Sequence, residues 1–246
     1  EIRKFNFKKL LTVLFICFAG ISFAQDLTLS AGADVVSRYI WRGLNVNDAV
    51  NIQPALTLSV SGFSIGFWGS YSLSNDASSN TYGQEVDTWL GYTYAFENGM
   101  SIGALVTDYY YPNAGIKWGN FNNYDDPEGA GAHTIETGLL LKGPESFPLS
   151  LSGFINVYND AGSNTYFQID YPTTVAEVPL NFFVGASAGS EENPAYYGTE
   201  TFNVINVGVK AAKSVKITED YSLPISVTFL INPRAEISYL VFGLTF

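Results

Sequence analysis

The sequence contains one histidine, His133, which is its only candidate for an imidazole general base. A lipase of the outer membrane would pair such a histidine with a serine nucleophile. No serine adjoins His133 in the sequence, and only guesswork could nominate Ser72, Ser74 or Ser152. An isolated histidine rarely marks a base, so we predict a protein that is not an enzyme, with His133 at the rim of a barrel.

A second candidate for chemistry is the acidic segment from Trp118 to Glu128, which reads W-G-N-F-N-N-Y-D-D-P-E. Carboxylate and amide oxygens of this kind can bind calcium. The segment lacks the regular ligand spacing of an EF-hand loop, and Asp126-Pro127 followed by Gly129 is typical of a turn. We therefore expect a solvated loop, and the sequence predicts no metal site, no cofactor and no catalytic residue.

Charged residues at alternating positions suggest a third kind of chemistry, the passage of ions. A charge in a narrow aqueous lumen attracts ions of the opposite sign. Five acidic residues against two basic ones would favour cations, and Arg38, Glu85, Asp87 and Glu136 would form the selectivity region. The full set of predicted pore-lining residues is Asp34, Arg38, Glu85, Asp87, Glu136, Asp170 and Lys210.

The same charges also fit a closed interior. In a narrow barrel, opposite charges often pair across the lumen and hold the structure together. Strand number limits the diameter of a barrel without deciding whether side chains fill it, so both interpretations stay open. Large inward side chains would also occupy space, namely Trp68, Trp89, Phe154, Phe183 and Tyr239.

The elements that would position these residues are β-strands, because apolar and polar residues alternate along most of the chain. Hydrophobic residues form 47% of the sequence and aromatic residues 15%, which suits aromatic girdles at two membrane interfaces. A count of ten or fourteen strands is the alternative to twelve. We predict strands at 26–41, 51–60, 63–73, 84–96, 100–111, 132–142, 148–158, 164–171, 178–188, 202–213, 222–232 and 235–246.

The connections between these strands alternate in length. Short periplasmic turns and long outer loops are typical of outer-membrane barrels. Tight turns are predicted at 61–62, 97–99 and 143–147, and long polar loops at 42–50, 74–83, 112–131 and 189–201. The loop at 112–131 is a candidate lid. The connections at 172–177, 214–221 and 232–235 fit this scheme less well.

The first 24 residues are typical of a cleaved signal peptide. Arg3, Lys4, Lys8 and Lys9 precede an apolar run that is too short for a membrane-spanning helix. The only cysteine, Cys17, lies in this run, so a domain at 25–246 has no disulfide or thiol chemistry. That domain has 8 Lys and Arg against 22 Asp and Glu, a surface that repels nucleic acid.

The last predicted strand is amphipathic and carries a candidate signal for membrane insertion. Leu240, Phe242 and Leu244 alternate with smaller or more polar residues, which gives one face for lipid and one for a lumen. The predicted signal comprises Tyr239, Phe242, Leu244 and Phe246. We expect the barrel insertion machinery to recognise it.

Several segments resemble the TorF-type porin family, a widespread group of bacterial barrels of largely unassigned function. The resemblance is carried by Ser37-Arg38-Tyr39-Ile40-Trp41-Arg42-Gly43, Phe67-Trp68-Gly69-Ser70, Glu85-Val86-Asp87-Thr88-Trp89-Leu90-Gly91-Tyr92 and Asp108-Tyr109-Tyr110-Tyr111-Pro112. The family often has an acidic residue where Arg38 stands here. Similarity is good over the first half of the chain, and the second half matches chiefly in the regular spacing of its predicted hairpins. The resemblance implies an outer-membrane barrel that can be a channel, and it supplies no substrate.

The sequence as a whole predicts a twelve-stranded antiparallel up-and-down β-barrel in a bacterial outer membrane. Its predicted function is a narrow passive channel for small solutes with mild cation preference. Its predicted partners are outer-membrane lipid and the insertion machinery, and an oligomer is compatible with the pattern. The alternatives are a structural or surface-interaction barrel with a plugged lumen, an outer-membrane hydrolase, and a soluble periplasmic binding barrel.

Overall fold

The computed structural model describes residues 27–74 and 84–246, and within them twelve strands form a closed antiparallel barrel. This confirms the predicted fold class. The wall consists of β1 (Thr28–Val36), β4 (Asn51–Val60), β5 (Phe63–Ser72), β6 (Gln84–Ala95), β7 (Ser101–Tyr110), β8 (His133–Lys142), β9 (Ser150–Tyr158), β10 (Thr165–Val175), β11 (Val178–Ser187), β12 (Asn203–Lys216), β13 (Ser222–Asn232) and β14 (Ile237–Thr245). A separate hairpin comprises β2 (Tyr39–Trp41) and β3 (Leu44–Asn47).

Each wall strand pairs with its neighbours in chain order, and β1 closes the barrel by pairing with both β4 and β14. The register places Asp34 opposite Gln53 on β4 and opposite Thr245 on β14. Because successive side chains of a strand point to opposite faces, one residue of each alternating pair points into the lumen.

The exterior of the barrel is apolar, as the alternation predicts. In β14, Leu240, Phe242 and Leu244 are exposed, whereas Gly243 on the other face is buried. The same exposure recurs around the barrel, for example at Leu56, Phe67, Val106, Leu139, Ile155, Phe167, Val184 and Phe229. Exposed aromatic residues are found at both ends: Tyr94, Phe96, Phe147 and Tyr221 at one, and Trp118, Phe121, Tyr124 and Phe202 at the other.

Two strand predictions need correction. The segment 26–41 is not one strand, because β1 ends at Val36 and the chain turns into the β2–β3 hairpin. The segment 172–177 is not a long turn. Strands β10 and β11 continue to Val175 and Val178, and only Ala176 and Glu177, both with positive φ, connect them. Such a two-residue turn matches the twist of paired strands.

Most of the remaining connections agree with the predicted asymmetry, and the exception is the short connection 233–236 at the loop end. Residues 61–62, 96–100 and 176–177 are short turns at one end of the barrel, which we call the turn end. Segments 37–50, 111–132 and 188–202 lie at the other, the loop end. The predicted signal peptide and most of the predicted 74–83 loop lie outside the described residues. Among the described residues, no helix has the length and apolar character needed to cross a bilayer.

Candidate functional site

The β2–β3 hairpin, predicted as the end of a strand at 26–41 and an outer loop at 42–50, instead extends into the barrel. Arg42 and Gly43 form its turn, with φ of 50° and 81°. The carbonyl oxygen of Gly43 accepts a hydrogen bond of 3.1 Å from Asn232 Nδ2 at the end of β13. A Cβ atom on Gly43 would lie 2.0 Å from the carbonyl oxygen of Ile205 on β12, so only glycine fits this contact.

Arg42 carries the hairpin's contacts to the opposite wall. Its Nη1 and Nη2 atoms donate to Glu136 Oε2 and Oε1 at 2.6 and 2.8 Å, a two-pronged ion pair. The Nη1 atom also donates to the Tyr197 hydroxyl at 2.6 Å. The side chains of Arg42 and Glu136 are 10% and 2% exposed, so the pair is nearly removed from solvent. Paired geometry of this kind is the strong form of a charge-assisted hydrogen bond.

Aromatic rings cover the Arg42 guanidinium. Its Cζ atom lies 4.5 Å from the ring centre of Trp41, 4.4 Å from that of Phe154 and 4.7 Å from that of Tyr166. These distances are within the range of cation–π attraction. Phe154 and Tyr166 belong to β9 and β10, the two strands farthest from β1 and β4 in the closed order. The hairpin therefore spans the diameter of the lumen.

A second segment, the 188–202 loop, fills the remaining space beside the hairpin. Tyr197 stacks on Trp41 with ring centres 5.6 Å apart, and Tyr196 meets Trp41 edge-on at 6.0 Å. Tyr197 and Ile205 are fully buried. Burial raises the pKa of Tyr196 and of Tyr197, so both hydroxyls stay protonated near neutral pH. The lumen is thus packed with side chains at this level.

The 188–202 loop is anchored through Asp160, in the neighbouring loop at 159–164. The Asp160 carboxylate accepts hydrogen bonds from the side-chain amides of Asn156, Asn164 and Asn193 at 2.8 to 3.1 Å. Burial raises the pKa of Asp160, but the hydrogen bonds from Asn193, Asn156 and Asn164 outweigh it and lower the pKa overall. The ionised carboxylate therefore fixes the loop that carries Tyr196 and Tyr197.

The structure brings three predicted acidic residues together near the hairpin. Glu85 accepts hydrogen bonds from the hydroxyls of Tyr39 at 2.8 Å and Tyr111 at 3.3 Å. Asp87, two residues along β6, is 9% exposed, and its Oδ1 atom has no hydrogen-bond partner within the described residues. Glu136 completes the set and also accepts from the Tyr109 hydroxyl at 2.8 Å.

Arg38 lies apart from these acids. It pairs with Asp48 at 3.2 Å, and its guanidinium lies 6.0 Å from the ring centre of Tyr239. The basic residue that meets the acidic group is therefore Arg42, which our sequence interpretation assigned to an outer loop. A glycine-containing turn within the short alternating run 39–47 was the signal that could have indicated a hairpin there.

The lumen below the hairpin, towards the turn end, is accessible to solvent. Lys210 is exposed although its register on β12 points inward, opposite Thr228 and Asn181. Asp170, half-buried, accepts hydrogen bonds from Gln168 and Asn181 at 2.9 and 2.8 Å. Lys142 is a further exposed inward residue that our sequence interpretation did not include. We call this part of the lumen the vestibule.

The other predicted positions lie near the seam of the barrel. Asp34, half-buried, accepts a hydrogen bond of 2.6 Å from the Thr245 hydroxyl. Phe242, Leu244 and Phe246, from the predicted insertion signal, are exposed on the outer surface. Tyr239 has the opposite, inward register beside Arg38.

His133 lies on the outward register of β8 and is completely buried. Its Nδ1 atom is 2.9 Å from both carboxylate oxygens of Asp108, and its Nε2 atom is 2.6 Å from the carbonyl oxygen of Trp118. The Phe121 ring stacks on the imidazole with ring centres 4.0 Å apart. Nε2, the atom that would serve a nucleophile as base, is thus directed at a carbonyl oxygen.

The 111–132 loop, the predicted lid, is held to the rim by His133 and by β9. The Tyr158 hydroxyl donates to the Phe121 carbonyl oxygen, and Asn159 N donates to Asn123 Oδ1 at 2.8 Å. Asp126 Oδ1 accepts from the Glu128 backbone at 2.9 Å, which forms the predicted turn. Within the described part of the chain, no three His, Cys, Asp or Glu side chains are grouped as a metal site.

These features define the chain as a closed β-barrel protein with a hairpin packed inside its lumen. It belongs to a family described as a bacterial protein of unknown function, Gcw_chp, whose model matches residues 22–222. The resemblance to TorF-type porins stays a prediction. A structure of Salmonella typhi OmpF in complex with daunomycin has 9% identity and a TM-score of 0.41, over 90% of this chain and 97% of that chain. No curated protein matches the sequence.

Proposed function

We propose that the protein is an outer-membrane β-barrel whose lumen is a narrow, cation-favouring channel that the β2–β3 hairpin closes at rest. Membrane insertion is supported by the apolar exterior and by exposed aromatic residues at both ends of the wall. Wall strands of 9 to 14 residues are also long enough to cross a bilayer when tilted.

The observation that carries the channel proposal is the contrast between the two halves of the lumen. The vestibule is polar and accessible to solvent, whereas the loop-end half is filled by the hairpin and the 188–202 loop, neither of which is part of the wall. Removal of that hairpin would leave the twelve-stranded wall intact. The closure is therefore a feature added to the barrel and not a consequence of its diameter.

The charges near the hairpin support a preference for cations. Glu85, Asp87 and Glu136 all face the same region of the lumen, and Arg42 is the positively charged residue between them. If the hairpin leaves, Arg42 leaves with it, and three acids remain on the wall. A negative constriction of this kind concentrates cations and repels anions.

The test is a planar-bilayer recording with a KCl gradient, using protein whose folding is checked by heat-modifiable gel mobility. We expect rare, small openings for the wild type and frequent, cation-selective openings when residues 39–47 are replaced by a short Gly-Ser linker. If the shortened variant folds and stays silent, the lumen is not a channel. The matched control is a linker of equal length in place of 118–126.

The second candidate is a structural or surface-interaction barrel with a permanently plugged lumen. It is favoured by the burial of the Arg42–Glu136 pair and of Tyr197, which resembles a protein core. In that case the folded hairpin variant would be silent and strongly destabilised.

Detergent-free fractionation addresses location, because an outer-membrane barrel should sediment with membranes.

A further inference from the structure

The cage around the Arg42 guanidinium is built almost entirely by the wall and the 188–202 loop. Glu136 from β8 provides the carboxylate, Phe154 from β9 and Tyr166 from β10 provide rings, and Tyr197 provides a hydroxyl. The hairpin contributes Trp41 and the cation itself. The recognition groups on the wall, Glu136, Phe154 and Tyr166, would therefore remain in place if the hairpin withdrew.

The shape of this cage selects a flat cation. A carboxylate that accepts two parallel N–H bonds matches the edge of a guanidinium, and rings match its faces. A compact ammonium ion cannot form the paired bonds. The additional hydroxyl of Tyr109, which donates to Glu136 Oε1 at 2.8 Å, holds the carboxylate in this orientation.

The backbone gives independent support for the importance of the Arg42 side chain. Its φ of 50° lies in the left-handed region, which arginine rarely adopts and which asparagine or glycine would occupy with less strain. Strained backbone of this kind persists where surrounding contacts determine it, and it is concentrated at functional sites. Here the hydrogen bonds and ring contacts of the Arg42 guanidinium hold the backbone in this conformation.

We infer that the cage is a binding site for small solutes that carry a guanidinium group, and that Arg42 occupies it at rest as an internal mimic. The inference rests on the proposed channel function, and it names the solute class that would meet the hairpin from the lumen. A guanidinium solute competes with Arg42 for Glu136 and for the rings of Phe154 and Tyr166. Its binding releases the hairpin tip from the wall.

The experiment uses Arg42→Ala, with guanidinium chloride at low millimolar concentration as the probe. Guanidinium should raise the thermal unfolding temperature of the folded variant saturably and reduce its conductance. KCl and methylammonium chloride at equal ionic strength should do neither. Arg38→Ala removes an arginine from the same segment but leaves Arg42 in the cage, so guanidinium should neither raise its unfolding temperature nor reduce its conductance.

A second variant tests the carboxylate. Arg42→Ala combined with Glu136→Gln should lose the guanidinium response, because the paired acceptor is gone. A response that persists in this double variant, or that methylammonium reproduces, would overturn the site. If Arg42→Ala refolds poorly, its refolding yield with guanidinium against KCl measures the same binding, and equal yields count against the inference.

The two readouts separate this inference from the proposed function. Stabilisation by guanidinium in a folded but silent Arg42→Ala barrel would support the site and contradict the channel. Channel openings of an Arg42→Ala barrel that guanidinium neither blocks nor stabilises against unfolding would support the channel and contradict the site.

Discussion

Arg42 and Glu136 are separated by 94 residues in the chain, yet two hydrogen bonds of 2.6 and 2.8 Å join them across the barrel interior. The pair links the turn of the β2–β3 hairpin to β8. Because it is nearly buried, its two charges depend on each other far more than an exposed pair would.

Loss of one member of this pair should destabilise the protein strongly. In Glu136→Gln, Arg42 keeps a buried charge without its counterion, and we expect the free energy of unfolding to fall by about 3–5 kcal/mol. Urea titration of the barrel in lipid, followed by tryptophan fluorescence, measures this change. Arg42→Met should lower the free energy of unfolding less in the Glu136→Gln variant than in the wild type. Additive effects of the two substitutions would contradict the coupling between Arg42 and Glu136.

Gly43 offers a way to dislodge the hairpin by a single methyl group. Gly43→Ala places a Cβ 2.0 Å from the Ile205 carbonyl oxygen, so we expect the hairpin to leave its docked position and channel openings to increase. The positive φ alone costs a residue with a Cβ atom about 1–2 kcal/mol. Gly115→Ala is the matched control, because Gly115 has a φ of 76° and open space around its Cβ. Equal conductance of the two variants would exclude the steric mechanism.

The loop that carries Tyr196 and Tyr197 should loosen in acid. The pKa of Asp160 is lowered in the folded protein, so its ionised form stabilises the fold above the unfolded pKa of about 4. This stabilisation is lost as the pH falls through the lower, folded pKa. The protection of residues 188–202 against hydrogen exchange, corrected for the intrinsic pH dependence of exchange, should therefore stay high down to pH 4 and fall below it.

A variant at the same residue gives the control for this pH effect. Asp160→Asn replaces an acceptor oxygen by a donor facing three amides, so protection of 188–202 should already be low at neutral pH and should not change further in acid. Asp220→Asn, at an exposed turn, should behave like the wild type. Identical pH profiles for Asp160→Asn and the wild type would disprove the assignment.

Charge removal at two levels of the lumen should change ion selectivity in opposite directions. The combined variant Glu85→Gln and Asp87→Asn should shift the reversal potential towards lower cation preference. Lys210→Gln should raise cation preference, because this lysine is exposed in the vestibule. Reversal potentials in a KCl gradient, recorded in the hairpin-shortened background, decide both, and unchanged values would remove these residues from the conduction path.

His133 should act on the 111–132 loop and not on the lumen. In His133→Ala the Phe121 stack and the contact with the Trp118 carbonyl oxygen disappear, so protease cleavage within 111–132 should increase. Conductance should not change. A lipolytic activity that is present in the wild type and absent in His133→Ala would instead favour the hydrolase alternative.

The wall could be predicted from local pattern, because alternation fixes which residues face lipid. Strands such as 51–60 and 222–232 were predicted with their observed bounds. The same parity placed Glu85, Asp87 and Glu136 on one face. Local pattern could show neither the inward course of 37–50 nor the role of Arg42, since both depend on partners 94 to 189 residues away.

Tyr197 illustrates the same limit. The 188–202 segment is polar and rich in turn residues, which indicates an outer loop. Tyr197 is buried and Tyr196 half-buried because Asp160 and Trp41, far apart in the chain, hold the loop against the hairpin. Only the closed barrel brings these groups together.

The hairpin that spans the lumen also constrains how the barrel can assemble. The hairpin follows the first wall strand, whereas its docking partners on β8 to β13 come later in the chain. The hairpin therefore stays undocked until most of the wall strands have formed. Contacts between residues so far apart in the chain form slowly. Once docked, the hairpin links β1 to the later wall strands from inside the barrel. The strands β1 and β14 should therefore pair faster, and separate less readily, than in a barrel without the hairpin.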